Sequence, residues 1–255
     1  MEPILEVRGL SRRFGGLMAV AELDFAVAAG TIHGLIGPNG AGKTTTFNVI
    51  SGFYKPTAGR VLYQGRDIGG LSTARIAHRG LVRTFQHTTL FREMTVLENV
   101  AVGRHMHARA SFLAQVLGLN AATEGRARAA ALEALEFIGL ADRAHDAAGS
   151  LSHGMQRALG IAVALAAEPK LLLLDEPFTG MNPEETATMM GLMRKLHARG
   201  ITLLLVEHDM AAVMGLCDRI TVLSFGRLLA EGDPAAIREN PAVIEAYLGA
   251  SLDAA

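Results

Sequence analysis

The chain has 255 residues, carries 24 Lys plus Arg against 25 Asp plus Glu for a formal charge of −1, and is 50% hydrophobic. That is enough apolar material for one large domain with a sizeable core, and it excludes disorder as a whole-chain property. The even charge balance speaks against a nucleic-acid wrapper, which needs a basic face, and the longest apolar run, Ala158–Ala167, is too short to span a bilayer.

The opening "MEPILEV" has neither a basic start nor a long apolar core, so no secretion leader is expected. "ILEV" and "LDFAV" read as strands separated by a turn at Gly15–Gly16. "TIHGLIG" (31–37) is an apolar strand running into a glycine-rich loop, and a helix is predicted from about Lys43 to about Gly52. "GRVLYQG" and "LVRTFQ" read as further strands. Helix signals dominate 87–160, where "EGRARAAALEALEFIGL" sets Ala131, Leu132, Leu135 and Ile138 on one face. Strands return in "KLLLLDE" (170–176), "ITLLLVEHD" (201–209) and a hairpin over 218–232. The leucine run lacks alternation, as in a parallel strand buried on both faces. The alternating order predicts an α/β class, with 87–160 inserted as a helical subdomain into a core made of 1–86 and 161–255. Cys217, the single cysteine, rules out an internal disulfide framework and reads as a small buried hydrophobe. The methionines of "MMGLM" (189–193) read as core filling, and "RHMHAR" (104–109) as a solvated or partner-facing helix rather than a metal site.

"GPNGAGKT", Gly37–Thr44, matches the phosphate-loop pattern G-x-x-x-x-G-K-[ST] in its required context, after a strand and before a helix. Gly37, Pro38, Asn39, Gly40, Ala41, Gly42, Lys43, Thr44 and Thr45 are therefore candidate nucleotide-binding residues. Gly40 and Gly42 allow a tight turn whose amides face phosphate, and the helix behind it adds its positive dipole end. Lys43 reaches the terminal phosphates and the Thr44 hydroxyl is a candidate Mg²⁺ ligand. Asp175, closing the leucine strand, is the candidate metal carboxylate, and Glu176 is placed to orient or deprotonate the attacking water.

The order "GPNGAGKT", "FQ", "LSHGM", "LLLLDEP", "EHD" resembles the nucleotide-binding subunit of ATP-binding cassette (ABC) transporters, and the resemblance covers essentially the whole chain. "GFYKPTAG", "VRTFQHTTLFREMTVLENV", "DEPFTGMNPEE" and "IRENPAVIEAYLG" are similar to the ATPase subunits of branched-chain amino acid importers. The resemblance implies a P-loop ABC ATPase fold with a RecA-like core, an antiparallel β subdomain and an inserted helical subdomain. It also implies ATP and Mg²⁺ as ligands, two ATPs sandwiched between two ATPase subunits (a homodimer or a heterodimer), and a peripheral place on the cytoplasmic face of a bacterial-type membrane. Transmembrane permease subunits would be direct partners, an extracytoplasmic binding protein an indirect one, and nucleic acid none. A urea or amide importer subunit is the alternative, with a non-transport ABC ATPase or a non-hydrolysing switch further away.

By the same resemblance, Phe14 stacks on adenine, Gln86 touches Mg²⁺ and links to the permease, and His208 contacts the γ-phosphate. Glu176, His208, Gln86 and Lys43 form the catalytic set, and Thr44, Gln86 and Asp175 the metal set. "GMNP" (180–183) matches the loop that crosses the dimer, with Asn182 where many relatives have Asp. Ser152, His153, Gly154 and Met155 form the signature that reaches the partner's nucleotide. His153 and Met155 depart from the usual L-S-G-G-Q, and Val163 stands where many relatives carry Arg. The donors such a motif needs are the Ser152 hydroxyl, the Gly154 amide and the helix dipole, and all survive. Activity is expected, with a weaker dimer because Met155 cannot replace an amide's hydrogen bonds.

Overall fold

The computed structural model describes residues 2–84, 90–104 and 121–252. Strands β1 (Pro3–Phe14) and β2 (Leu17–Ala28) form an antiparallel hairpin about Gly15–Gly16. Both are longer than "ILEV" and "LDFAV" suggest. In β2, Val20, Leu23, Phe25 and Val27 are buried while Glu22 and Asp24 face out, and shifts of register keep the two strands paired. With β4 (Ala58–Tyr63) and β5 (Arg66–Asp67) they make an antiparallel sheet in the order β2-β1-β4-β5.

The second sheet holds β3 (Ile32–Ile36), β6 (Leu81–Arg83), β7 (Leu171–Asp175), β8 (Thr202–Val206), β9 (Arg219–Ser224) and β10 (Arg227–Gly232), ordered β10-β9-β3-β8-β7-β6. All neighbours are parallel except the β9–β10 hairpin at one edge. β8 lies between β3 and β7, so the loops leaving all three open side by side at the sheet's carboxyl edge, where open α/β sheets bind ligands.

The described helices are α1 (Lys43–Ile50), α2 (Thr73–Ala77), α3 (Val96–Arg104), α4 (Ala121–Ile138), α5 (His153–Leu165), α6 (Pro183–Ala198), α7 (Met210–Leu216), α8 (Pro234–Glu239) and α9 (Pro241–Leu252). They and the sheets enclose three apolar clusters. Leu171 and Leu173 point into the first, with α1 and the antiparallel sheet, while Leu172 and Leu174 point into the second, against α6 and α7. This two-sided burial is why the run shows no alternation. Cys217 is buried in the second cluster with its Sγ close beside Gly34, and burial pushes the thiol up to about 12. Met189 and Met193 are buried there too, as core filling requires.

The third cluster joins Val96 and Val100 of α3, Ala131 and Leu135 of α4, and Leu159 and Ala162 of α5. Here the helical reading needs correction at Leu132, which is exposed, while Ala134 is buried in its place. Residues 131, 134, 135 and 138 share a stripe on a 3.6-residue helix, and 132 lies about 100° away from 131. α3 crosses close over α5 at Gly103, where any side chain would run into the Val163 carbonyl. Val163, at that close approach, also packs against the cluster.

Candidate functional site

β3 is buried along its length and delivers the chain into the loop Gly37–Gly42. Gly37 sits at φ +149° and a Cβ there would lie 2.2 Å from the Leu223 carbonyl oxygen, so no other residue fits. Gly42, at φ +97°, is equally closed off by the Ala19 carbonyl. The motif asks for glycine at 37, and the cause is its packing on β9. α1 then starts at Lys43 with no side-chain cap, leaving its first amides to whatever the loop holds. Lys43 is buried, and its Nζ donates to the carbonyls of Gly37 (2.7 Å) and Pro38 (2.9 Å). Burial lowers its pKa, with the Glu176 carboxylate pulling the other way.

A cleft of about 470 Å³ brings together Asn39–Thr45 of this loop with Glu176, His208, Leu17, Met18 and Phe225. Glu176 follows β7 in a left-handed conformation (φ +47°), a strained placement held by its neighbours. Its amide donates to the Val206 carbonyl (2.9 Å) and its own carbonyl accepts from Arg157 Nη1 (2.8 Å). The carboxylate meets His208 Nε2 at 2.8 Å on one oxygen and accepts from Thr179 Oγ1 at 3.3 Å on the other. Glu207, fully buried behind it, accepts the backbone N–H groups of Phe178 (2.7 Å) and His208 (2.8 Å), so one side chain pins the loops after β7 and β8 together. Its pKa is raised by burial against the lowering effect of those amides.

Asp175 lies one layer deeper, 6% exposed, with Oδ2 accepting from Arg83 Nη2 at 2.6 Å. Thr44 is exposed at the cleft. Phe85 and Gln86 lie outside the described residues. Phe14 does not line the cleft. Its ring meets Tyr54 edge-on at 5.1 Å with the Arg12 guanidinium 4.4 Å over its face, and Arg12 also donates to the Lys55 carbonyl. Phe225, 92% exposed and at φ +47° in the tip of the β9–β10 hairpin, does line the cleft. Gly226 beside it donates to the Ala41 carbonyl (3.0 Å) and accepts from the Ala21 amide (2.8 Å), locking the tip to the phosphate loop. Nothing in the motifs points to Phe225, although a bulky apolar residue before the glycine of a tight hairpin is a visible anomaly.

The signature residues lie elsewhere. Ser152 caps α5, its Oγ accepting from the Met155 amide (3.3 Å) and keeping its own O–H free to donate outward. Gly154 presses on α6, where a Cβ would sit 2.9 Å from Glu185 Oε1. His153 projects beside Gly180, and Met155 is half-exposed. Ser152, Gly154 and Met155 line a separate cleft, also about 470 Å³, with Phe137 and Met181. Asn182 caps α6 in a reciprocal pair with Glu185: Asn182 Oδ1 accepts from the Glu185 amide (2.9 Å) and Glu185 Oε2 from the Asn182 amide (3.1 Å). Aspartate would cap equally well, so the departure at 182 has a local helix-end explanation.

Comparison with known proteins gives this arrangement a family. Residues 20–179 match the ABC transporter family model and residues 227–253 the model of the branched-chain amino acid ATP-binding cassette transporter. The chain is 46% identical to the high-affinity branched-chain amino acid transport ATP-binding protein BraF of Pseudomonas aeruginosa, covering 97% of this chain and 98% of that one. It is 47% identical to the corresponding protein LivG of Escherichia coli over the same shares. Among solved structures it resembles a nucleotide-free ATP-binding cassette (TM-score 0.86, 33% identity, 96% of this chain and 99% of that one). It also resembles a dimeric cassette in a post-hydrolysis state bound to ADP and Pi (TM-score 0.74, 26% identity, 90% and 98%). The chain belongs to the ABC transporter family and has the α/β P-loop fold of its ATP-binding cassettes.

Proposed function

We propose that this chain is the ATP-hydrolysing subunit of an importer for branched-chain amino acids, working in a pair of ATPase subunits docked on a membrane permease. The names and near full-length match of BraF and LivG support amino-acid cargo over urea or amides. Among the described residues no helix is long and apolar enough to cross a membrane, in keeping with a peripheral place on the permease's cytoplasmic side. Substrate would arrive through an extracytoplasmic binding protein, and Gln86 with the helical segment 87–150 would face the permease.

The observation that carries the two-subunit reading is the separation of clefts. The phosphate loop, Glu176 and His208 share one, while Ser152, Gly154 and Met155 line another. A triphosphate held by both sets would then be shared between two chains. In that sandwich the loop amides and Lys43 grip the phosphates, and the partner's Ser152 hydroxyl, Gly154 amide and helix dipole close on the γ-phosphate. Glu176 takes a proton from the attacking water, and His208, bonded to it at 2.8 Å, orients the carboxylate and reaches the γ-phosphate. Phe225, fixed to the phosphate loop, and Phe14 are the two aromatics offered for the base.

Mg²⁺ fits the donors present. Among the described residues no group of three or more His, Cys, Asp or Glu could hold a metal by itself, and the Thr44 hydroxyl and Asp175 carboxylate, with Gln86 proposed beside them, would hold the ion together with the nucleotide. Such a sparse oxygen set suits an ion that stays bound largely to phosphate and water. When bound, the ion would neutralise charge on the phosphoryl group.

The test is purification from membranes with the permease, followed by ATP turnover in vesicles with the cognate binding protein. Leucine, isoleucine or valine should accelerate turnover. Acceleration by urea or amides alone would replace the cargo assignment, and absence of any ATP turnover would refute the hydrolytic one.

A further inference from the structure

We propose that Arg83 is the built-in counter-ion of the metal carboxylate: a positioning residue that holds Asp175 in place and weakens its grip on Mg²⁺. The inference rests on the reading of Asp175 as a Mg²⁺ ligand. Arg83 ends β6, in register with Leu173 of β7, and its guanidinium bonds three side chains among the described residues. Nη2 donates to Asp175 Oδ2 at 2.6 Å, while Nη1 donates to Asn48 Oδ1 at 2.7 Å and to Ser51 Oγ at 3.1 Å. Ser51 sits at the end of the phosphate-loop helix and spends its own hydroxyl proton on the Phe47 carbonyl (2.6 Å), so its Oγ is free to accept from Arg83. The guanidinium carbon lies 5.7 Å from the ring centres of both Phe47 and Phe53. The Arg83 and Asp175 side chains are 8% and 6% exposed.

One planar cation therefore ties the edge strand, the metal carboxylate and the back of α1 into a single unit. A lysine has no fork to make the three bonds together. Two consequences follow for the ion. The bond at Oδ2 fixes the carboxylate plane, so that Oδ1 would be the oxygen offered to the metal. The guanidinium also offsets part of the negative charge that a second cation meets, in a region shielded from water where Coulomb terms are strong. Removing it strands a buried carboxylate, which Mg²⁺ then relieves. Arg83 thus stabilises the protein in the absence of metal and keeps the ion exchangeable after turnover.

Thermal unfolding of the full chain, with ATP plus EDTA and with ATP plus Mg²⁺, separates this role from an ordinary buried ion pair. Arg83→Gln should melt below the wild type without Mg²⁺, and should gain more in melting temperature from Mg²⁺ than the wild type does. Its half-saturating Mg²⁺ concentration for ATP binding should fall about fivefold or more. Asn48→Ala, which keeps both charges and strands no buried ion, should let the guanidinium settle more fully on Asp175 and raise half-saturation about twofold. Unchanged half-saturation, or shifts opposite in sign, would make the pair purely structural and overturn the inference. If Mg²⁺ adds nothing to the stability of the wild type with ATP, the metal reading itself fails and this inference falls with it.

Discussion

The two halves of the proposed nucleotide site are built by opposite means. The phosphate half grows out of three buried parallel strands, and its working groups are side chains held from several directions at once. Glu176 is strained, bonded through its amide, its carbonyl and both carboxylate oxygens, and backed by Glu207. The signature half is the tip of one capped helix on a separate apolar cluster, offering a hydroxyl, backbone amides and a dipole. The hydroxyl and the amides do not depend on the side chains at 153 and 155, so a histidine and a methionine leave these donors in place. The phosphate half should be brittle to substitution and the signature half forgiving.

The largest break is expected at Glu176. Glu176→Gln keeps the size of the side chain and removes the proton acceptor, so hydrolysis should fall by about 10²–10⁴-fold while ATP still binds. Sedimentation with Mg-ATP should show a trapped dimer. Turnover near the wild-type rate would mean that the carboxylate bonded to His208 is not the base.

Acid should loosen the phosphate half from beneath. His33 lies in β3, fully buried, with Nε2 2.8 Å from Thr221 Oγ1, and burial with the nearby Arg219 charge lowers its pKa to about 4. The unfolded chain takes up that proton near pH 6.5 and the folded chain only near 4. Stability from the neutral ring is therefore fully present above pH 6.5 and is lost as pH falls through that window, about 3 kcal/mol in all. Urea midpoints for wild type and His33→Gln, compared at pH 7 and pH 5, should diverge in slope with the wild type falling faster. Parallel curves would contradict the assignment.

How visible each half was in the sequence follows from the same contrast. The phosphate loop, Asp175, Glu176 and His208 stand at strand ends in motifs whose spacing is local, so the chain order alone locates them. What that order hides is contact between segments far apart in sequence. Arg157 reaches back from α5 to the Glu176 and Thr179 carbonyls, Gly37 is dictated by the Leu223 carbonyl, and Phe225 arrives at the cleft from the last hairpin. The packing of the Phe14 ring on Tyr54 and Arg12 is likewise out of reach of the sequence. The error at Leu132 has a different origin: adjacent letters in a helix point about 100° apart, and the apolar stripe was drawn one residue too wide.

A smaller effect is expected where the two halves meet. Asn182 carries the cap of α6, whose Glu185 in turn lies under Gly154. Asn182→Asp should change stability by only a few tenths of a kcal/mol, whereas Asn182→Ala should cost about 1 kcal/mol in thermal or urea unfolding. Equal losses in both would mean that the side chain does more than cap the helix.

The forgiving half is tested most finely at Met155. Its amide is engaged by the Ser152 cap, its side chain is half-exposed on the cleft shared with Gly154, and it has no polar atom beyond a thioether. Met155→Gln leaves the cap intact and adds an amide able to bond across the proposed sandwich. One such bond is worth about 0.5–1.5 kcal/mol, so ATP-driven dimerisation in the Glu176→Gln background should strengthen about two- to twelvefold. Thermal stability without nucleotide should hardly move, since nothing within the chain gains a partner. A larger gain would show that the signature half depends on its side chains after all. An unchanged or weaker dimer would show that position 155 does not face the partner.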